Sequence, residues 1–160
     1  MTKAIFILTV IFAICLGLST DNREAYMLIE SATPGILGAI LGGITAGISI
    51  IFSVLLTATS SPNTKVKLGT FTGFLLGLKK DILYLLLCLV ASLLLPYLRV
   101  TGIPLLSYPI HDLIPNRDVF YTAIELTIIV VSAAIIIEVF NVMFTLFHHF
   151  SALSTSDDQK

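Results

Sequence analysis

Charged residues are scarce in this 160-residue chain, at 12% of positions, where a soluble domain carries roughly a quarter. The charge that is present nearly cancels, to a formal net of −1. No basic surface for nucleic acid is therefore expected. Cysteine is limited to Cys15 and Cys88, both inside apolar runs. They read as small hydrophobes, and a disulfide framework is not expected. Metal-ligand spacing, a nucleophile constellation, a phosphate loop and a nucleotide fingerprint are all missing. His148-His149 does not supply a metal site, because adjacent helical positions point about 100° apart and chelate poorly. The expectation is a protein that is not an enzyme and binds no cofactor. Too few polar residues lie outside the apolar runs to build a separate soluble domain.

Apolar residues fill the space that charge leaves. They make up 56% of the chain, and mean hydropathy is +1.00. They come in long unbroken runs, which a bilayer accommodates and a water-soluble core does not. A spanning helix needs about 20 such residues, within a range of roughly 17–25. Four segments qualify, at about 3–19, 34–58, 82–98 and 123–147. Backbone groups in lipid must be satisfied within the segment, so each should be helical. The predicted fold is an all-α integral membrane protein, a four-transmembrane-helix bundle in one membrane domain covering 1–160. The first segment also has the grammar of a signal peptide, with Lys3, an apolar stretch, and Gly17 and Ser19 as small residues. A retained helix is the favoured reading. The lipoprotein reading of Cys15 is weaker, because Ile14 occupies the position of a small residue and the following segment stays apolar.

Local signals mark the expected helix ends. Thr33-Pro34 reads as an N-cap followed by proline at the first helical position. Asp81 reads as a cap of the third span. Thr122–Glu125 fits a capping box, which assigns Glu125 a local role. Pro96 falls near the end of the third span, where a kink disturbs little.

Topology follows Lys/Arg asymmetry in short loops. Four spans place both termini and segment 59–81 on one side, with Lys3, Lys65, Lys67, Lys79, Lys80 and Lys160. Arg23, Arg99 and Arg117 fall on the other. The expected location is the inner cell membrane with both termini cytoplasmic. Segment 59–81 then lies at the cytoplasmic interface or as a helix continuing out of the membrane. The outer loop 99–118 holds Pro104, Pro109 and Pro115 among apolar residues, and is expected on the interface or over the mouth of an assembly. The tail 151–160 is polar and expected to be disordered.

The second and fourth spans carry the candidate functional residues. Gly35, Ala39, Gly43 and Gly47 recur every four residues, beside a row of Gly38, Gly42 and Ala46. Small residues at that spacing let helix backbones approach closely. The two readings are packing within one bundle and a self-association face, and a homo-oligomer is favoured. Thr45, Ser49, Ser53 and Thr57 form a hydroxyl stripe, either lining a hydrated path or bonding back to the helix. Glu138 lies deep in the fourth span, where an acid is a functional hypothesis by default. Asn141, Thr145 and His149 continue its face at helical spacing. That strip could relay protons, flank a pore or contact another subunit, and Lys79 or Lys80 could snorkel towards it. The bland alternative is a protonated carboxyl that glues helices together.

Four spans from Lys3 to Phe147, no soluble domain and a basic Lys65–Lys80 segment make up a layout that resembles the membrane subunit of the Kiwa antiphage defence system. The likeness covers the whole chain and rests on layout, without a motif that assigns residues. It implies a membrane-embedded oligomer that senses phage attack at the envelope and works with a cytosolic DNA-binding effector. On this reading the chain is an oligomeric membrane platform or sensor, with lipid around it and a soluble cytosolic partner at Lys65, Lys67, Lys79 and Lys80. The competing reading is an ion- or proton-conducting oligomer that uses Glu138, Asn141 and the hydroxyl stripe.

Overall fold

The computed structural model describes residues 2–59, 68–102 and 115–157, with side chains throughout except 54–59, 68–72, 74 and 146–157. Within these residues the secondary structure is entirely helical: α1 Thr2–Leu18, α2 Arg23–Thr59, α3 Leu68–Thr101 and α4 Arg117–Asp157. Three stretches are long and apolar enough to cross a membrane: Arg23–Ser53, Leu75–Thr101 and Arg117–Thr145. The fourth, α1, has 17 residues. That is about 25 Å of helix against a hydrocarbon core of about 30 Å. This is a helical membrane protein with three full-length candidate spans and one short apolar helix.

Helices α2, α3 and α4 form the main bundle. Ile44, Leu78, Leu85 and Val139 are buried together, with Ile40, Leu41, Ile48, Ile82, Ile135, Ile136 and Met143 packed around them. Helix α3 runs antiparallel to both neighbours: Arg99 near its end meets Glu30 and Thr122, and Leu85 further back meets Ile44 and Val139. Among the described residues α1 packs against α4 and no other helix, with the Phe12 and Phe120 rings edge to face at 6.1 Å. The outward faces are apolar too: Phe6, Leu28, Leu83, Leu87 and Phe144 are all more than half exposed. In water that surface would aggregate, whereas lipid tails solvate it.

The helix ends differ from the sequence expectation in one consistent way: each long helix starts earlier. Asn22 caps α2, its Oδ1 accepting from the Glu24 N–H at 3.0 Å and its carbonyl accepting from Tyr26 N–H. Thr33-Pro34 is therefore interior, and the Thr33 hydroxyl donates to the Ile29 carbonyl. Asp81 lies in the body of α3, which begins at Leu68 and carries the segment before the third span as continuous helix. Thr122 is likewise interior to α4, so no capping box forms. Helix α4 also runs on to Asp157, through most of the tail expected to be disordered. Gly102 closes α3 at φ +68°, with its N–H on the Leu98 carbonyl at 2.8 Å. A left-handed residue after the last turn is the usual glycine role.

Pro34 and Pro96 are both inside helices. Proline has no N–H, so the carbonyl four residues back loses its intrahelical donor. Those carbonyls belong to Glu30 and Ser92.

The core predicts a contrast on α3. Leu85 is 3% exposed and Leu87 is 64% exposed. Leu85→Ala is expected to cost about 2–4 kcal/mol through the cavity it leaves, while Leu87→Ala changes little. Denaturant unfolding in mixed micelles, followed by helicity, measures both.

Candidate functional site

The buried charged groups gather, with buried Thr122, at the end of the bundle where the α1–α2 turn and the end of α3 meet the start of α4. Arg99 is 5% exposed, Thr122 2% and Glu125 1%. Arg99 Nε stands 2.9 Å from Glu30 Oε1, joining α3 to α2. Neither atom has a hydrogen-bond partner, so the contact is an ion pair rather than an aligned N–H···O bond. Arg99 Nη2 donates to Thr122 Oγ1 at 3.1 Å, joining α3 to α4. The Thr122 hydroxyl proton has two carbonyls in reach, Asp118 at 2.8 Å and Thr20 in the α1–α2 turn at 3.2 Å. The Tyr26 ring lies against the guanidinium, 3.9 Å from Arg99 Cζ to the centroid, an arrangement that suits arginine's flat, weakly hydrated cation. One side chain thus touches α2, α3 and α4 and, through Thr122, the turn after α1.

Glu125 lies one turn beyond Thr122 on α4, within electrostatic reach of Glu30 and Arg99. Both of its carboxyl oxygens are buried and have no hydrogen-bond partner, as does Arg99 Nη1. The site therefore holds two carboxyl groups and one guanidinium, of which Glu125 and Arg99 are buried and Glu30 is partly exposed. Its depth follows from helix rise. Residues 82–98 carry no charge, so Asp81 and Arg99 are about 27 Å apart along α3, close to the hydrocarbon thickness. The Arg99 cluster and the Lys79–Asp81 group sit at opposite edges of that slab.

The residues singled out from the sequence lie elsewhere. Glu138, Asn141 and Thr145 do share one face of α4, but all three are exposed on the outside of the bundle. Asp81 on α3 is the acid close enough to feel the Glu138 charge. Lys79 and Lys80 are exposed, and the Lys80 ammonium stands 5.5 Å over the Tyr84 ring of its own helix. Lys65 and Lys67 lie outside the described residues, as do the side chains of Thr57 and His149. Thr45 and Ser49 donate to the Leu41 and Thr45 carbonyls, so they bond back to α2 and line no path within one chain. Ser53 is exposed on the same helix. Of the small residues, Gly47 faces Met143, where an added Cβ would come within 3.3 Å of the methionine methyl. Gly35, Gly38, Gly42 and Gly43 have nothing within 4 Å of that position. Ala39 and Ala46 are exposed beside them. The packing face of α2 is instead Leu37, Ile40, Leu41, Ile44 and Ile48.

Sequence reading passed over the cluster for specific reasons. Arg99 and Glu30 both fall in segments expected to connect spans, and the capping-box pattern accounts for Glu125. One signal was present: an acid followed four residues later by proline, Glu30 to Pro34, inside a run that remains helix-forming. No family model, curated protein or solved structure matches the chain.

Removing the cation should be far more damaging than neutralising the exposed acid. Arg99→Ala leaves the Glu30 carboxylate without its cation, beside the buried Glu125, and is expected to cost about 3–5 kcal/mol. Glu138→Gln is expected to stay within about 0.5 kcal/mol of the parent chain. Unfolding of the purified monomer in mixed micelles compares the two.

Proposed function

We propose that this chain is the subunit of a homo-oligomeric membrane platform that presents a basic segment to a soluble partner. The observation that carries the proposal is the α2 face of Gly35, Ala39, Gly42, Gly43 and Ala46, which is turned away from the chain's own core. Helices do not associate in lipid by hydrophobicity, so a face of small residues gains only by close packing against another helix. Exposed Glu138 and Asn141 on α4 support the same reading: they stand near the level of Asp81, at the edge of the hydrocarbon slab, where a second copy would pair their polar groups.

Two arms test this. Ala39→Leu with Gly43→Leu is expected to reduce the particle to a monomer by intact mass in gentle detergent, with helicity and unfolding unchanged. An unchanged oligomer mass would remove α2 as the interface. Charge reversal at Lys65, Lys67, Lys79 and Lys80 is expected to release a co-purifying soluble protein and leave the oligomer whole. Partner retention in that variant would count against the basic segment as the docking site.

The layout's resemblance to the Kiwa membrane subunit extends the proposal to a sensor of phage attack in the inner membrane, with both termini cytoplasmic. A second reading places an ion or proton path between copies, supported by the outward position of Glu138, Asn141, Thr45 and Ser49. It predicts that the oligomer conducts in liposomes and that Glu138→Gln alters the flux without altering the mass. Absence of flux from the parent oligomer would sink it.

A further inference from the structure

Among the described residues the cluster at Arg99 contains more acid than base, and the surplus acid has no hydrogen-bond partner. Glu30 and Glu125 are two carboxyl groups facing one guanidinium, which is 2.9 Å from Glu30. Glu125 is 1% exposed, and both its oxygens are unpaired. An ionised carboxylate in that setting forfeits its hydration and gains no hydrogen bond, whereas a neutral acid forfeits far less. Among the described residues, the other groups at this level do not supply the missing charge. Helix α1 brings only the buried thiol of Cys15. Helix α2 brings Tyr26, which is occupied against Arg99. Asp118, two turns back on α4, adds negative charge near Glu30. Arg117 approaches Gly102 at the end of α3, and its own side chain is exposed. No group of three or more His, Cys, Asp or Glu suited to a metal ion occurs among the described residues.

We propose that Glu30, Arg99 and Glu125 form a proton-binding site, in which the guanidinium neutralises one carboxylate and a single bound proton neutralises the other. In the arrangement described, Arg99 pairs with Glu30, and the proton resides on Glu125. The spare hydrogen-bonding capacity of the site fits an exchangeable proton. Arg99 Nη1 has no partner, so the guanidinium has a donor free for Glu125 if the proton leaves. Loss of the proton draws Arg99 towards Glu125 and loosens the tie between α3 and α2, so proton occupancy is coupled to how the helices pack.

Infrared difference spectroscopy of the full chain in lipid nanodiscs tests this directly, because a protonated carboxyl has its own carbonyl stretch, which shifts in D2O. The expected result at neutral pH is a protonated-carboxyl band that is lost in Glu125→Gln and retained in Glu138→Gln and Asp81→Asn. Glu30→Gln should diminish the same band, since Arg99 is then free to neutralise Glu125. Size-exclusion profile and helicity identify any variant that fails to fold. If Glu125→Gln does not accumulate, the Glu30→Gln arm reads the same proton with Glu125 intact. A spectrum unchanged by Glu125→Gln, or a Glu125 band at full intensity in Glu30→Gln, would overturn the proposal.

Discussion

The arrangement of the helices rests on a single buried cation. Lipid supplies no hydrophobic force to gather helices, so a bundle inside it must be held by close packing and by polar contacts that have nowhere else to go. Arg99 makes such contacts in several directions: the ion pair to Glu30, the hydrogen bond to Thr122 and the stack on Tyr26. Through Thr122 it also meets the backbone of the α1–α2 turn. A buried ion pair does not by itself imply high stability, because desolvation offsets much of the attraction. Its effect here is specificity. A one-turn slip of α3 along α2 or α4 would move the guanidinium about 5 Å and leave a charge unpaired, whereas the leucine and isoleucine contacts below would repack at modest cost.

That constraint acts at one edge of the bundle, and the apolar core acts at the other. Ile44, Leu78, Leu85 and Val139 fill the space between α2, α3 and α4 in the half nearer Lys79. Between the two lie Ser92 and Ser132, both buried, whose hydroxyls bond to carbonyls of their own helices. Hydroxyls satisfied in this way behave as small packing residues and leave the helix contact intact. The outward surfaces are of two kinds. Most are large and apolar, suited to lipid. The small-residue face of α2 and the Glu138 strip of α4 are not, and these are the surfaces on which the proposed self-association rests.

Several local signals were read correctly as chemistry and incorrectly as position. Proline after threonine is a good helix start, and Thr122 with Glu125 three residues on is a good capping box. Both were overruled because helix formation had already begun upstream, at Asn22 and Asn116, where the first backbone bonds close onto Tyr26 and Phe120. Once α4 starts at Arg117, Glu125 has no free helix end to cap and is carried about 12 Å into the bundle. The Glu138 face shows the converse. The spacing of Glu138, Asn141 and Thr145 placed them together on one side of α4, which holds, but it gave no indication of which side faces the other helices.

Hydropathy and length alone determined that this chain is helical and built for a membrane, because backbone in lipid has no alternative to internal hydrogen bonding and an uncharged run of sufficient length has no other stable environment. The period of 3.6 residues likewise determined which residues share a face: the small residues of α2, the hydroxyls beside them and the polar strip of α4. Only the tertiary structure decided which of those faces turns inward. It turned Leu37 and Ile44 into the bundle and Gly35, Gly42 and Gly43 out, and it placed Glu138 on the surface and Glu125 in the interior. The physical reason is that the rotation of an apolar helix about its axis is nearly free in lipid until a contact from another helix selects it. Here the selecting contact joins residues 69 positions apart, Glu30 and Arg99, a pairing that no local pattern in the sequence encodes.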